Sequence, residues 1–198
     1  MRRGVSRNSS YASCIGIDDG PFLPRRIGGT LAPLLAVRLE GPHLTLARVG
    51  WVKIDGLDAT DVALKLLKPI VTRGCPILLS GVTFGGFNLI DPRRLQRSFR
   101  TPTIVVVRSR PDNRAVKRAL VRHFPDWKKR WKIVRSLGPL RQVRSFAHEN
   151  PIFYEAFGCS RQSARRILTE WALVSRLPEP LRVAGLVVRG LYPAQPPD

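Results

Sequence analysis

Carboxylates that could hold a metal ion are scarce in this sequence, and two of them are adjacent. The chain has 14 Asp and Glu residues against 34 Lys and Arg, and Asp18 and Asp19 end a short apolar run. Divalent cations such as Mg²⁺ prefer oxygen ligands, so carboxylates that converge at one point indicate a metal site. Consecutive strand residues point to opposite faces, so only one of the pair faces such a site squarely. We favour Asp18 as the ligand and Asp19 as a helper, over the alternative of an Asp-Gly turn.

Three other acids compete for a place beside Asp18. Asp55 ends a predicted strand and suits a second metal ligand and an Asp-Gly turn equally well. Asp58 precedes a predicted helix, where capping alone explains it and metal contact is the weaker alternative. Glu179 lies between two prolines that fix its direction, although stabilisation of a helix N-terminus is the simpler explanation. The sequence therefore predicts Asp18 and Asp55 as the catalytic metal ligands, with Asp19, Asp58 and Glu179 as additional candidates.

The elements that position these acids follow an α/β pattern. Apolar runs predict five strands, at residues 14–17, 30–40, 44–54, 76–79 and 103–107. The short connection at residues 41–43 predicts an antiparallel hairpin, with the first strand alongside it. The continuous apolar run TIVVV at residues 103–107 is typical of a parallel strand that is covered on both faces. Further short strands are predicted at residues 141–146 and 152–154.

Helical periodicity separates the later strands. Helices are predicted to begin near Asp58, Asp91, Asp112, Asp126, Ser160 and Leu181. Capping explains Asp91 and Asp112. This order of elements predicts the α/β class, as a ribonuclease H-like mixed sheet. Its strands one to three are antiparallel, strands four and five are parallel, and helices cover both faces.

Net charge indicates the partner. The formal charge of +20 and a pI near 11.5 favour a polyanion, and we predict nucleic acid, with DNA favoured over RNA. No apolar run approaches the roughly 20 residues that a membrane span needs. The basic start is not followed by the apolar run of a signal peptide, so we predict a cytoplasmic protein. We expect a basic tail at residues 1–11, a single domain at residues 12–192 and a second tail at residues 193–198.

The loop at residues 81–88 (GVTFGGFN) is the candidate for contact with a nucleotide. Its glycines allow close approach to a nucleic-acid backbone, and its two Phe residues suit base stacking. Core packing of both Phe side chains beneath a tight loop is an equal alternative. We predict nucleic-acid contacts by the loop and by three arginines: Phe84, Gly85, Gly86, Phe87, Asn88, Arg93, Arg94 and Arg182. A further basic run, Lys128 to Lys132, is interleaved with Trp127 and Trp131.

Five segments together resemble a known family. They are GIDDGPF at residues 16–22, DGLDAT at 55–60, GVTFGGFN at 81–88, HFPDW at 123–127 and PEPLRVA at 178–184. In this order they resemble the archaeal endonuclease dU family, formerly a domain of unknown function and a relative of endonuclease V. The resemblance implies a ribonuclease H-like fold, Mg²⁺ or Mn²⁺ held by acids at three sheet positions, and cleavage near a deaminated base.

The resemblance also assigns those three positions. Asp18 matches the first, the second falls near Asp55 or Asp58, and the third is Ser80 rather than a carboxylate. The leading hypothesis is a Mg²⁺-dependent endonuclease that repairs nucleic acid containing uracil or hypoxanthine. Because Ser80 is neutral, the first alternative is a non-catalytic nucleic-acid-binding protein on the same fold. The second alternative is a structural or partner-binding protein whose charge is incidental.

Overall fold

The structure is a computed structural model that describes residues 11–25 and 28–191. Within these residues the backbone forms nine strands and six helices. The strands are β1 (Ser13–Asp19), β2 (Leu31–Glu40), β3 (His43–Lys53), β4 (Ile77–Leu79), β5 (Thr83–Phe84), β6 (Asn88–Leu89), β7 (Thr103–Val107), β8 (Arg141–Val143) and β9 (Ile152–Phe157). The helices are α1 (Ala59–Leu67), α2 (Pro92–Phe99), α3 (Asn113–His123), α4 (Trp127–Ser136), α5 (Arg161–Glu170) and α6 (Glu179–Gly190).

Seven strands form one mixed sheet in the order β3-β2-β1-β4-β7-β9-β8. Strands β1, β2 and β3 pair antiparallel, while β1, β4 and β7 pair parallel. The predicted ribonuclease H-like sheet is therefore confirmed, and the ends of its five strands lie within two residues of the predicted ends. The structure extends this sheet, because β9 pairs antiparallel with β7 and β8 pairs with β9.

Helices cover both faces of the sheet, as predicted. On one face, alternate β1 residues such as Ile15 and Ile17 pack with α1 and α2 in the first core cluster. On the other face, Cys14 and Leu78 pack with α5 and α6 in the second cluster. Because strand side chains alternate, residues of even and odd number at the end of β1 face different helices.

The connections fix where the helices start. Asp91 and Asp112 accept hydrogen bonds from the first backbone N–H groups of α2 and α3, which confirms that both residues cap helices. The predicted tails lie outside the described residues, except for Tyr11, which packs against the second core cluster. In the described part of the chain, no helix combines the length and the apolar character that crossing a membrane requires.

Candidate active site

Asp18 and Ser80 meet where two parallel strands end. Ile17 pairs with Leu79 in the β1–β4 register, so the next residues on each strand are neighbours. The Ser80 backbone N–H donates to the Ile17 carbonyl at 3.1 Å. The Ser80 hydroxyl donates a hydrogen bond to Oδ1 of Asp18, and the Asp19 N–H donates to the same oxygen at 3.0 Å. Asp18 is thus held by two donors at the carboxyl edge of the parallel strands.

Helix α6 covers the second oxygen of Asp18. A Cβ atom on Gly185 would lie 2.6 Å from Asp18 Oδ2, so only glycine permits this close approach of helix and carboxylate. Burial raises the pKa of Asp18, while the Ser80 hydrogen bond and the positive charges of Arg189 and Arg108 oppose that rise. The carboxylate is therefore largely removed from water, and the positive charges of Arg189 and Arg108 favour its ionised form.

Asp19 points to the opposite face of the sheet. Its Oδ2 accepts a hydrogen bond from the backbone N–H of Gly85 at 2.7 Å, which ties the loop between β5 and β6 to the end of β1. Burial raises the pKa of Asp19 to about 6, and the neighbouring Asp18 charge adds to the rise. Asp19 therefore serves to anchor the loop rather than to share the surroundings of Asp18.

Asp55 joins Asp19 through the same loop. The Asp55 N–H donates to the Gly85 carbonyl at 2.8 Å, and Asp55 Oδ1 accepts from the Phe87 N–H at 2.8 Å. Asp55 has a φ of 56°, in the left-handed region that Asp tolerates better than most residues. The structure thus places Asp55 in contact with the loop, whereas the sequence paired it with Asp18 as a metal ligand.

Asp58 and Asn88 form a buried structural link. Asp58 does not cap α1 through its side chain, contrary to the prediction. Its carboxylate instead accepts from the Asn88 side chain at 2.6 Å and from the Lys53 N–H at 3.2 Å. Asn88 is fully buried and also accepts from the Ala59 N–H at 2.9 Å. Asn88 therefore connects β3, α1 and β6, and the predicted contact between its side chain and nucleic acid is wrong.

The two Phe residues of the loop differ. Phe84 is fully buried in the first core cluster, so the core-packing alternative holds for it and the predicted stacking does not. Phe87 is only half-buried, and its ring contacts Phe124 edge-on with centroids 5.4 Å apart. Gly85 and Gly86 have φ values of 55° and 86°, which turn the chain between β5 and β6.

Arg130 fixes the position of this loop from α4. Its guanidinium donates to the carbonyls of Asp55, Gly56 and Phe87 at 2.9, 2.9 and 2.6 Å. Its Nε donates to the Asp126 carboxylate at 2.9 Å. The side chain is buried, so Arg130 differs from the exposed lysines of the same basic run. The guanidinium stacks on Phe124 at 4.3 Å from the ring centroid.

An open cleft of about 800 Å³ adjoins this loop. Three of the five segments that carry the family resemblance, at residues 55–60, 81–88 and 123–127, supply residues to its walls. Its lining consists of Arg25, Asp55, Gly86, Phe87, His123, Phe124, Pro125, Asp126 and Arg130. The cleft combines the Phe87 and Phe124 rings with two polar donors that are free of the Arg130 network, Arg25 and His123. Such a mixture suits a planar polar ligand.

The remaining predicted residues are engaged in local ion pairs and packing. Glu179 is buried, and Arg182 binds its carboxylate with two hydrogen bonds of 2.8 and 2.6 Å. Arg93 donates from Nε to the Ser136 carbonyl at 2.8 Å, and Arg94 pairs with Asp61 at 2.7 Å. Both arginines lie on α2, which packs on the same face as α1. None of these contacts brings the four residues to Asp18.

Comparison with solved structures first defines the architecture. Endonuclease V from Ciona intestinalis, solved with a 24mer DNA containing an inosine followed by a ribo-adenosine, superposes with a TM-score of 0.59. The match covers 89% of this chain and 84% of that one, at 22% identity. The chain therefore has the ribonuclease H-like fold of the endonuclease V class.

Closer similarities then identify the family. A protein of unknown function from Archaeoglobus fulgidus superposes with a TM-score of 0.76 at 29% identity, over 89% of this chain and 95% of that one. A UPF0215 protein of Pyrococcus furiosus is 36% identical over 176 residues, which are 87% of this chain and 88% of the relative. The family model Endonuclease dU matches residues 10–192. The chain belongs to the endonuclease dU family.

Three residues that act on Asp18 were not predicted from the sequence. Gly185 and Arg189 lie on α6 and were given no role, and Arg108 follows β7 within a run of basic residues. A glycine inside an apolar helix lowers the stability of the helix. Its presence therefore indicates that another group approaches the helix backbone closely at that position. The two arginines carry no such signal, since 34 Lys and Arg residues make any single one inconspicuous.

Proposed function

We propose that the protein is a divalent-metal-dependent endonuclease that acts on nucleic acid containing a deaminated base. The observation that carries the proposal is the direct contact of Asp18 with Ser80 where β1 and β4 end. Ligand sites in α/β sheets lie at the carboxyl ends of parallel strands, which is where this contact lies. Membership of the endonuclease dU family supports nuclease chemistry at that point.

The donor atoms near Asp18 fit one metal ion. Mg²⁺ commonly binds one or two carboxylates and completes its coordination with water and substrate phosphate oxygens. Asp18 supplies a carboxylate and Ser80 a hydroxyl, a ligand that phosphate-binding loops also use for Mg²⁺. They do not fit a carboxylate-only site for two ions, because Asp19 and Asp55 hold the loop instead. A bound ion would supply charge stabilisation and an activated water at the phosphate.

The residues around Asp18 suit a phosphodiester. Arg108 and Arg189 contribute positive charge to the surroundings of the carboxylate, and guanidinium groups bind phosphate oxygens in a planar, bidentate manner. Burial of Asp18 lowers the local dielectric, so a cation gains more from the carboxylate, and a phosphate gains more from the arginines, than either would in water. The Gly85 hydrogen bond to Asp19 holds the strand end and the loop in fixed relation.

The 800 Å³ cleft is the proposed site for the altered base. Enzymes that read a damaged base turn it out of the helix, and a base with weakened pairing costs least to extract. Deamination replaces an amino donor with a carbonyl acceptor, so recognition needs a donor from the protein. Arg25 and His123 offer such donors, and Phe87 and Phe124 offer ring surfaces for stacking.

Activity on matched strands tests the proposal. Labelled oligonucleotides that differ only in one deoxyuridine or deoxyinosine are incubated with the protein and Mg²⁺ or Mn²⁺. We expect cleavage near the altered base, loss of cleavage with a chelator, and loss in Asp18→Asn. The matched control Asp112→Asn removes one carboxylate from the exposed cap of α3 and leaves Asp18 unchanged. Equal behaviour of the wild type and Asp18→Asn on every strand contradicts the proposal.

A non-catalytic nucleic-acid-binding role is the second candidate. The observation in its favour is that the described residues contain no group of three or more His, Cys, Asp or Glu side chains placed to hold a metal ion. This role predicts binding that weakens steeply with salt and does not respond to metal ions. Metal-independent binding of both lesion and control strands, without cleavage of either, selects it over the endonuclease.

A further inference from the structure

Helices α3 and α4 form a basic hairpin with little buried surface. Residues 113–136 contain nine Lys and Arg residues and one acid, Asp126, which is paired with Arg130. Leu120 of α3 is buried, as are Arg130 and Val134 of α4, and the other side chains of both helices are partly or fully exposed. The packing of this hairpin needs only its few buried side chains. Packing therefore does not account for the large number of exposed Lys and Arg residues.

Two indole rings lie in a second cleft on this hairpin. The cleft, of about 480 Å³, is lined by Lys117, Trp127, Lys128, Trp131, Lys132, Arg135 and Ser136. We name it the tryptophan cleft. Trp127 and Trp131 are one helical turn apart on α4 and are only half-buried. A depression of about 490 Å³, lined by Arg114, Lys117, Arg118, Val121 and Arg122, adjoins it at Lys117.

Lysine side chains cover the two rings. The Lys117 ammonium lies 5.8 Å from the Trp131 ring centroid, and the Lys128 ammonium lies 5.9 Å from that of Trp127. Among the described residues no acid forms an ion pair with either lysine. Both lysine side chains are exposed, so an aromatic ligand can displace them from the rings at little cost in free energy. The displaced ammonium groups are then free to meet phosphates.

We propose that the tryptophan cleft binds single-stranded nucleic acid, at a contact surface separate from the site at Asp18. Exposed aromatic rings among cations are the arrangement that binds unpaired strands, because every base offers a ring face and every nucleotide a phosphate. A duplex keeps its base faces stacked inside, so it engages only the cations. The lining contains no acid, which makes its charge complementary to a polyanion along its whole length.

This surface extends the reach of the first cleft. Helix α4 borders both clefts, with Asp126 and Arg130 on one and Trp131 and Lys132 on the other. The two clefts therefore share α4 as a common wall. Binding at the tryptophan cleft does not depend on the proposed endonuclease activity, because none of its residues contacts Asp18 or Ser80.

Binding of a labelled oligo(dT) 15-mer tests this inference. From the usual value of a base–aromatic stack, the loss of two stacks in Trp127→Ala with Trp131→Ala weakens binding by about 30-fold or more. Lys128→Ala with Lys132→Ala weakens binding and reduces its salt dependence, since two phosphate contacts are lost. The matched control is Lys65→Ala with Lys68→Ala, which removes two exposed charges from the α1 region. Binding is measured in the presence of a chelator, so the result does not depend on whether the protein is a nuclease.

A measurement on the wild type keeps the test independent of variant folding. Oligo(dT) quenches the tryptophan fluorescence and inorganic polyphosphate does not, because only the oligonucleotide stacks on the rings. The quenching persists in Trp51→Phe, which removes a tryptophan on β3. Absence of quenching overturns the inference, as do equal losses of affinity from the two lysine pairs. Wild-type affinity in the folded double tryptophan variant overturns it as well.

Discussion

Ser80 donates a hydrogen bond from its hydroxyl to Asp18 across the ends of β1 and β4. Two carboxylates at these positions would repel each other and would need a cation between them. Ser80 instead supplies a hydrogen-bond donor, which offsets part of the free-energy cost of burying the Asp18 carboxylate. The hydrogen bond therefore orients Asp18 and leaves its other oxygen facing α6.

The close approach of α6 to Asp18 predicts a specific effect of Gly185→Ala. The added Cβ would lie 2.6 Å from Asp18 Oδ2 and 3.3 Å from the Arg189 guanidinium, so helix or carboxylate must move. We expect a loss of roughly 1–3 kcal/mol in the free energy of unfolding, measured by urea denaturation. Gly190→Ala is the matched control on the same helix, because nothing lies within 4 Å of its Cβ position.

A double-mutant cycle identifies the cause of that loss. In an Asp18→Ala background the carboxylate is absent, so Gly185→Ala should cost less than it does in the wild type. Equal costs in the two backgrounds mean that α6 shifts against other neighbours, and the proposed contact with Asp18 is then wrong.

Arg130 is predicted to be a major source of stability around the cleft. It donates to three carbonyl groups and to Asp126, and Arg130→Lys keeps the charge but cannot reach all these acceptors. We expect a loss of about 2–4 kcal/mol in the free energy of unfolding, because buried acceptors lose their donors. The neighbouring Lys129→Met removes an exposed charge and should stay within about 0.5 kcal/mol of the wild type. A similarly small effect of Arg130→Lys contradicts the account.

Glu155 on β9 predicts a pH dependence of stability. Burial raises the pKa of Glu155 from 4.5 to about 7, so the folded protein holds a proton that the unfolded chain has released over that range. Stability should therefore fall as pH rises from about 4.5 to about 7. Glu155→Gln removes this loss. The free energy of unfolding of the variant, minus that of the wild type, should therefore be roughly 1–3 kcal/mol higher at pH 8 than at pH 4.

Denaturation at the two pH values measures the Glu155 effect as a difference of differences. Glu40→Gln, at an exposed position on β2, controls for the loss of one acidic charge from a protein of net charge +20. A difference between Glu155→Gln and the wild type that is the same at both pH values shows that the carboxyl group is not held protonated by burial.

The sheet was predictable because its strands carry strong local patterns. The run TIVVV is apolar throughout, and β7 lies between β4 and β9 under helices on both faces. The pairing of β9 with β7 was not predictable, because residues 108–151 separate the two strands and nothing in the local sequence fixes their alignment. Long-range pairing of this kind depends on the packing of the elements between the strands.

The candidate site was predictable only at β1 and β4. Strand alternation separates Asp18 from Asp19, and the family resemblance locates Ser80. The place of Asp55 depends on its positive φ and on the Gly85 carbonyl, neither of which leaves a pattern in the sequence. The role of Asn88 was misjudged because, in the sequence, a polar residue that links buried backbone groups cannot be told from one that binds a ligand.

The most direct test of the metal site is a crystal of the protein soaked in Mn²⁺ and measured at the manganese absorption edge. We expect one anomalous peak at coordination distance, about 2.1 Å, from Asp18 and Ser80, and no peak there in Asp18→Asn. An empty position beside Asp18, or a peak bound to Asp19 and Asp55 instead, contradicts the assignment of the metal to this pair.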